Sequence, residues 1–371
     1  MNRVYADYAA ATPTDPRVIE RVSQVSAENF GNPSSRHMFG RQAEESLMAA
    51  RSSIASFISA NANEIYFTGS GTESNNLAIL GIARANKTLG NHIITTAIEH
   101  PSVINSCRAL EKDGFEITYL PVDEQGQVSV TDFQSAITSQ TILATIHLAN
   151  SEIGVVQDIG ALSEIARAKN VIFHTDACQA ASLLKLDVGE LGVDALTFNG
   201  GKLYGPRGIA VLFVRENISI FPLVYGGGQE QSLRSGTENL PGIAGLAMAV
   251  EIATQQRDGD AVKVGDLRNS LQADLENLGC IVNCRNANRL PNHLSVIVPT
   301  NKTDLVQELD SLGIAVSSGS ACSSRSQSDS HVLQAIGLTS TQINTTIRVS
   351  LGRGTTTEEL AQIQKAVGHL V

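Results

Sequence analysis

The chain has 371 residues, of which 42% are hydrophobic and 17% are charged, and its formal net charge is -10 at pH 7. This length exceeds a single typical core, and the composition excludes a disordered or fibrous chain. Because nucleic-acid phosphates attract basic surfaces, the negative charge argues against direct binding of nucleic acid.

The sequence also carries signals about its compartment. Its first residues have neither the apolar core of a secretory signal nor the arginine-rich composition of a transit peptide. No apolar run reaches the roughly 18 residues of a membrane span. The five cysteines are odd in number and scattered, which is typical of reduced thiols. We therefore expect a cytoplasmic protein away from membranes, and the Cys280–Cys284 pair alone is too weak a signal to predict a metal site.

Strands and helices alternate through the first two thirds of the chain. Residues 1–40 are predicted to be irregular, because Pro13, Pro16 and the turn-rich segment 31–35 interrupt them. Apolar spacing then predicts helices at 41–57, 77–85, 131–137 and 158–170, and a further helix that ends at Lys112. It predicts strands at 64–69, 92–100, 115–123, 141–150, 171–176, 194–200 and 209–216. This alternation predicts βαβ units and an α/β fold with a mostly parallel sheet.

In the last third of the chain the predicted strands and helices no longer alternate regularly. A long helix over 242–277 precedes strands at 280–284, 293–299 and 345–352, helices at 303–313 and 331–337, and a last helix with a Thr356–Glu359 capping box. We therefore expect a large domain over 12–250 and a smaller α+β domain made of 1–11 and 251–371. The glycine-rich segment 226–228 and the following RSGTENLPG are of a kind that often crosses to another subunit.

Polar residues follow several predicted strands, where parallel sheets bind ligands. A lysine behind two glycines, Lys202, with Asp176 upstream at a strand end, has the layout of a pyridoxal phosphate (PLP) site. The turn and helix start at Gly71 and Thr72 suit an anion. Each feature also has a simpler interpretation, since Lys202 alone can be solvated, Asp176 can cap a helix and the turn can be an ordinary N-cap.

An ordered series of motifs spans nearly the whole chain: YADYAAATP, FGNPSSRH, FTGSGTESNNLAI, EIGVVQDI, HTDACQ, GKLYGPRG, RSGTEN, SSGSACSS and IRVSLGR. With these motifs the sequence resembles the cysteine desulfurases of the iron-sulfur-cluster-assembly type. The resemblance implies the fold of fold-type-I PLP transferases, with helices on both faces of the large sheet. It also implies a homodimer that converts L-cysteine to L-alanine and hands the sulfur to an iron-sulfur scaffold or a tRNA-thiolation carrier.

The resemblance also assigns roles to single residues. Cys322, on the serine-rich loop 317–330, would take the sulfur as a persulfide, Lys202 would hold PLP and move the Cα proton, and His100 would stack on the ring and act in acid–base steps. Arg348 and Asn32 would bind the substrate, Arg348 by clamping its carboxylate. The expected cofactor-binding residues are Gly71, Thr72, His100, Ser151, Asp176, Gln179, Asn199, Lys202 and, from a neighbouring subunit, Thr237.

Three positions depart from the family pattern. Ser151 stands where the family usually has asparagine, Asn199 where it has serine or threonine, and Gly201 where it has histidine. Glycine removes a side-chain phosphate ligand, so we expect a looser phosphate site. A selenocysteine lyase, another PLP lyase or aminotransferase of the same fold, and a catalytically silent sulfur-transfer scaffold are alternatives. The thiol on loop 317–330 favours a desulfurase.

Overall fold

The computed structural model describes residues 3–318 and 329–371. Its helices are α1 (Pro16–Glu28), α2 (Met38–Phe57), α3 (Gly71–Ala85), α4 (Pro101–Lys112), α5 (Val130–Ala136), α6 (Ile159–Ala168), α7 (Leu240–Asn277), α8 (Leu305–Ser311), α9 (His331–Ala335), α10 (Ser340–Asn344) and α11 (Thr357–Gly368). Short 3-10 turns lie at Ala62–Glu64, Gly200–Lys202 and Gln229–Ser232. None of the helices in these ranges, not even α7, has a stretch apolar and long enough to cross a membrane.

The strands are β1 (Val4–Tyr5), β2 (Ile65–Thr68), β3 (His92–Thr96), β4 (Glu116–Leu120), β5 (Thr141–Thr145), β6 (Ile172–Asp176), β7 (Ala195–Asn199), β8 (Ala210–Val214), β9 (Ile281–Val282), β10 (His293–Ile297), β11 (Ile314–Ala315), β12 (Ser317–Ser318) and β13 (Thr346–Ser350). Seven of them form a central sheet in the order β2-β8-β7-β6-β5-β3-β4.

The central sheet is mostly parallel, as predicted, with one reversed strand. The pairs from β4 to β7 are parallel, whereas β8 is antiparallel to both β7 and β2. Only residues 200–209 join β7 to β8. A parallel crossover needs a dozen residues or more, so this short connection reverses the chain. The reversal leaves β2 in the same direction as β7, and the residues after β2 therefore reach the same edge of the sheet.

Each face of the central sheet packs against its own set of helices. Neighbouring strand residues alternate between the faces, so Ile93 and Leu212 contact the core under α3 and α4, while Ile94 and Phe213 contact the core under α1, α2, α6 and the first half of α7. Burial on both faces explains why the strands read as continuous apolar runs rather than alternating ones. The predicted α/β architecture is confirmed.

The prediction that residues 1–40 are irregular is wrong, because α1 lies within them. The Asp15 side chain caps the helix by accepting a hydrogen bond from the Arg17 backbone N–H, and Pro16 occupies the first helical turn. Proline at this position starts a helix rather than breaking it, since the missing N–H has no partner there in any case. Val18 and Val25 form the buried stripe that anchors α1. By contrast, the predicted capping box of α11 is confirmed.

A second core lies around a four-stranded antiparallel sheet of order β12-β13-β10-β9, beside the parallel pair β1 and β11. Helix α7 reaches both cores, because Leu240 and Val250 lie in the first, and Leu271 and Leu275 lie in the second. The division into 12–250 and into 1–11 with 251–371 stays a prediction. It is supported by these separate cores and by the entry of β1 into the second one.

Candidate active site

A cavity of about 250 Å³ opens at the edge of the central sheet where the parallel strands end. Its walls come from the start of α3, the start of α4, the ends of β6 and β7, and the loop before β8. The lining residues are Gly69, Ser70, Gly71, Thr72, Asn75, His100, Ser102, Asp176, Cys178, Asn199, Gly201, Lys202, Arg207, Gly208 and Ile209. The topology thus brings together the strand-end residues that the sequence singled out at 71–72, 100, 176, 199 and 202.

The start of α3 forms the polar end of this cavity. The Ser70 side chain accepts a hydrogen bond from the Glu73 backbone N–H, while within the described ranges the N–H groups of Gly71 and Thr72 have no acceptor. A Cβ atom at Gly71 would lie 2.7 Å from Cys178 Sγ and 3.2 Å from Asn199 Nδ2. Glycine therefore leaves the backbone open at a positive helix end, which suits an anionic group.

Asp176 lies at the end of β6 and is buried. Its carboxylate accepts hydrogen bonds from Asn75 Nδ2 at 2.7 Å and from the Cys178 backbone N–H at 2.9 Å. Burial acts to raise the pKa of Asp176, but His100 and these donors outweigh it, so the pKa lies below its usual value. The carboxylate is therefore ionised at neutral pH and can pair with a cationic ring nitrogen.

His100 caps α4 and faces the same cavity. Its Nδ1 accepts a hydrogen bond from the Ser102 backbone N–H at 3.1 Å and lies 2.8 Å from Ser102 Oγ. Burial lowers the pKa of His100, and the nearby Asp176 opposes this only in part. The neutral imidazole therefore carries its proton on Nε2, because Nδ1 acts as an acceptor.

The turn that carries Lys202 is tied to the start of the chain. The Thr12 backbone N–H donates to the Gly201 carbonyl at 2.9 Å, and Thr12 Oγ1 accepts a hydrogen bond from the Tyr204 backbone N–H at 2.8 Å. Tyr204 adopts a φ of 55°, which is unusual for a residue other than glycine. The Arg353 guanidinium stacks 4.1 Å from the centre of its ring. These contacts fix the backbone on both sides of Lys202.

Two other predicted site residues, Arg348 and Gln179, contact the start of the chain. Arg348, on β13, is buried and donates to Asp7 Oδ1 at 2.6 Å and to the Ser151 carbonyl at 2.9 Å. Its Nε is buried and has no partner among residues 3–318 and 329–371. Gln179 donates to the Ala9 carbonyl at 3.0 Å. It also lines a second, small cavity together with Lys202.

Ser151, Gln179 and Arg348 are not among the residues that line the 250 Å³ cavity. Three further predicted residues are not placed there by the described structure either. Asn32 is exposed and accepts a hydrogen bond from the Ser34 backbone N–H at 2.9 Å, as in an Asx turn. Thr237 is exposed in the segment before α7. Cys322 lies outside the described residues, so its predicted role stays a prediction.

Sequence reasoning missed the polar residues that join the cavity walls. Asn75 Nδ2 donates both to Asp176 and, at 2.9 Å, to Ser102 Oγ, which in turn contacts His100. The signal was present in the spacing, because Asn75 shares the buried face of α3 with Ala78 and with Ile82. A polar residue on an apolar stripe indicates a partner inside the protein.

Glu152 is a further missed residue. It is buried, and its Oε2 accepts a hydrogen bond from Ser330 Oγ at 2.5 Å. Burial raises the pKa of Glu152 to about 7, although Ser330 and Arg348 act against the shift. No pattern in the sequence pairs these two residues, which stand 178 positions apart.

Comparison with known proteins agrees with this geometry. The model for the aminotransferase class-V family matches residues 4–363. The putative cysteine desulfurase IscS 1 of Bacillus subtilis (strain 168) is 42% identical over 375 residues, covering 100% of this chain and 99% of that protein. The chain therefore belongs to the aminotransferase class-V family and, within it, to the cysteine desulfurases.

Solved structures extend the comparison to three dimensions. A NifS-like protein matches with a TM-score of 0.93 and 35% identity, over 99% of this chain and 98% of that one. A structure of SspA in complex with cysteine matches with a TM-score of 0.86 and 35% identity, over 95% of this chain and 100% of that one. The predicted family and fold-type-I architecture are confirmed.

The cavity fits PLP, the cofactor of this family. An ionised carboxylate at Asp176, the amine of Lys202 and the open backbone at Gly71 lie around one space. These groups match the ring nitrogen, the aldehyde and the phosphate of the cofactor. The predicted PLP dependence is confirmed by the family and agrees with this donor set.

Proposed function

We propose that this protein removes the sulfur of L-cysteine, takes it up on Cys322 as a persulfide and releases L-alanine. The observation that carries the proposal is the meeting of Lys202, Asp176 and His100 at one cavity, in a chain similar to cysteine desulfurases along its whole length. The related structure of SspA in complex with cysteine supports this choice of substrate.

The catalytic roles follow from the protonation states. Bound PLP supplies an electron sink for charge that develops at the substrate Cα. Lys202 would hold the cofactor through Nζ and move the proton at Cα. Asp176, ionised because its pKa is lowered, would keep the ring nitrogen protonated. His100 would lie against the ring, and its neutral Nε2–H would donate in acid–base steps.

The phosphate and ring oxygen would be held by polar groups from separate elements. The Gly71 and Thr72 N–H groups and the Asn199 amide suit the phosphate, in line with their places in the cavity. The remaining assignments carry over from the family. They place Ser151 beside the ring, Gln179 at the ring oxygen, and Thr237 at the phosphate of a partner subunit.

Arg348 would receive the substrate carboxylate. Asp7 and the Ser151 carbonyl hold its two terminal nitrogens and so fix the plane of the guanidinium. Among the described residues the buried Nε–H group has no acceptor, which supports a role for this guanidinium in holding a carboxylate. Asn32 is the second residue that we assign to substrate binding, from its match to the family motif.

Cys322 is the proposed nucleophile. Its thiolate would attack the substrate sulfur, so that an S–S bond forms as the Cβ–S bond of the substrate breaks and the carbon skeleton leaves as alanine after protonation. The other four cysteines are buried and free. Burial raises the pKa of each of their thiols, to about 11 at Cys280. Such thiols make poor nucleophiles, which supports the assignment to Cys322.

We further propose a cytoplasmic homodimer that delivers sulfur to a carrier for iron–sulfur cluster assembly or tRNA thiolation. Phe221, Val224 and Tyr225 are exposed next to the glycine-rich segment 226–228 and supply apolar surface for a partner subunit. The free thiols of the four described cysteines support a reducing compartment.

The proposal is tested by colour and product together. The purified protein should be yellow from lysine-bound PLP and should form alanine from L-cysteine in the presence of dithiothreitol. A Lys202→Ala variant should lose both properties. A control variant, Lys169→Ala, changes an exposed lysine after α6 and should keep both. Alanine formation by Lys202→Ala at the rate of the unchanged protein would overturn the proposal.

A further inference from the structure

Backbone hydrogen bonds within the loop between β7 and β8 place Arg207 next to Gly201. The Gly200 backbone N–H donates to the Ile209 carbonyl at 3.1 Å, and the Gly205 N–H donates to the Gly200 carbonyl at 2.9 Å. A Cβ atom on Gly201 would lie 3.6 Å from Arg207 Cγ, an ordinary contact distance. The stem of Arg207 thus borders the space that a side chain at position 201 would fill.

Arg207 also stands out by its charge among the groups around the cavity. The charged side chains in the lining are Asp176, Lys202 and Arg207, while the lowered pKa of His100 favours its neutral form. Lys202 would form the covalent bond with the cofactor. Arg207 is exposed, and within the described ranges its guanidinium has no hydrogen-bond or ion-pair partner. Among the charged side chains that line the cavity, Arg207 is therefore the one that can bind the phosphate dianion of PLP.

We propose that Arg207 binds the cofactor phosphate together with the start of α3 and takes the place of the side chain that Gly201 lacks. A guanidinium can donate two parallel hydrogen bonds to a phosphate and suits this task better than a point charge. This inference rests on the proposed role of the cavity as the PLP site. It predicts that the chain compensates for Gly201 through a residue six positions later.

The test compares two ligands that differ only in the phosphate. Apoprotein is titrated with PLP and with pyridoxal, and binding is followed by absorbance. Loss of a charge-assisted hydrogen bond should weaken PLP binding by about tenfold or more in Arg207→Ala. The affinity for pyridoxal should stay the same. Arg207→Lys should recover part of the loss, and Gly201→His in the Arg207→Ala background should recover more.

A control variant and the binding of the unchanged apoprotein distinguish failure of the Arg207 proposal from failure of the proposed function. Arg108→Ala, at an exposed arginine of α4, should bind both ligands like the unchanged protein. Equal weakening of PLP and pyridoxal in Arg207→Ala, or PLP binding within twofold of the unchanged protein, would overturn the role of Arg207. Failure of the unchanged apoprotein to bind PLP would instead overturn the proposed function itself.

Discussion

The side-chain amide of Asn75 donates a 2.7 Å hydrogen bond to Asp176 Oδ2 and a 2.9 Å hydrogen bond to Ser102 Oγ. One amide thus joins the carboxylate expected at the ring nitrogen to the residue that orients His100. Because Asn75, Asp176 and Ser102 are all buried, loss of the amide leaves buried acceptors without their protein donor. Asn75 is therefore a positioning residue for both sides of the proposed active site.

We expect Asn75→Ala to lower kcat for sulfide release by about tenfold, since a hydrogen bond to a charged group contributes about 1.5 kcal/mol. Loss of the donor should also raise the pKa of Asp176, so the acid limb of the pH–rate profile should move to higher pH. Steady-state kinetics over a range of pH measure both effects. Asn105→Ala, at an exposed position of α4, is the control. An unchanged rate and profile in Asn75→Ala would refute the role.

His174 should make the fold sensitive to acid. Burial lowers its pKa to about 4, against opposing effects of Asp176 and Glu99. Between pH 6.5 and 4 the unfolded chain therefore binds a proton at this site that the native state does not. The free energy of unfolding should fall as the pH falls below about 6.5, by about 1.4 kcal/mol per pH unit for this group.

Urea denaturation at pH 7 and pH 5 checks this prediction. His174→Gln keeps a polar group near Thr145 and Thr197, whose hydroxyls contact the imidazole. Unfolding free energy should drop between these pH values by about 2 kcal/mol less in His174→Gln than in the unchanged protein. His369→Gln, at an exposed position, should match the unchanged protein. Parallel pH dependence in all three proteins would contradict the assignment.

The ion pair between Arg51 and Glu230 should be costly to break. Glu230 accepts hydrogen bonds at 2.7 and 2.9 Å from the guanidinium and at 2.8 Å from the Phe67 backbone N–H, and the two charged side chains are only 9% and 2% exposed. Glu230→Gln leaves a buried arginine without its counter-charge, so we expect it to lower the free energy of unfolding by about 3 kcal/mol.

The exposed pair Arg84–Asp113 provides a matched control, since its side chains are 42% and 41% exposed. Solvent screens such a pair, and Asp113→Asn should change stability by no more than about 0.5 kcal/mol. Urea denaturation of both variants gives the comparison. A Glu230→Gln variant as stable as Asp113→Asn would be inconsistent with a buried, uncompensated charge.

Much of the fold follows from local signals in the sequence. Apolar runs such as the one ending at Asp176 mark strands buried on both faces, and the alternation with helices predicts the parallel sheet. Because the ends of parallel strands gather at one edge, the sequence alone predicts that His100, Asp176 and Lys202 lie together. Helix α1 is not predicted if Pro16 is interpreted as a helix breaker, although Asp15 and Pro16 together indicate a helix start.

The rest of the site depends on contacts between distant residues. Asn75 reaches Asp176 across 101 positions, and Thr12 supports the turn of Lys202 across about 190. No local pattern encodes such pairs, because they arise only when the strand order is fixed. The Nε of Arg348, which has no acceptor in the described part of the chain, and the space beside Gly201 are likewise properties of packing rather than of composition.

The most direct test of the central claim is sulfide release from L-cysteine, in the presence of dithiothreitol, by Cys322→Ala. Cys280→Ala serves as the control, because burial raises the pKa of that thiol to about 11. We predict that Cys322→Ala stays yellow but releases no sulfide, whereas Cys280→Ala releases it at the rate of the unchanged protein. Sulfide release by Cys322→Ala at that same rate would contradict the account.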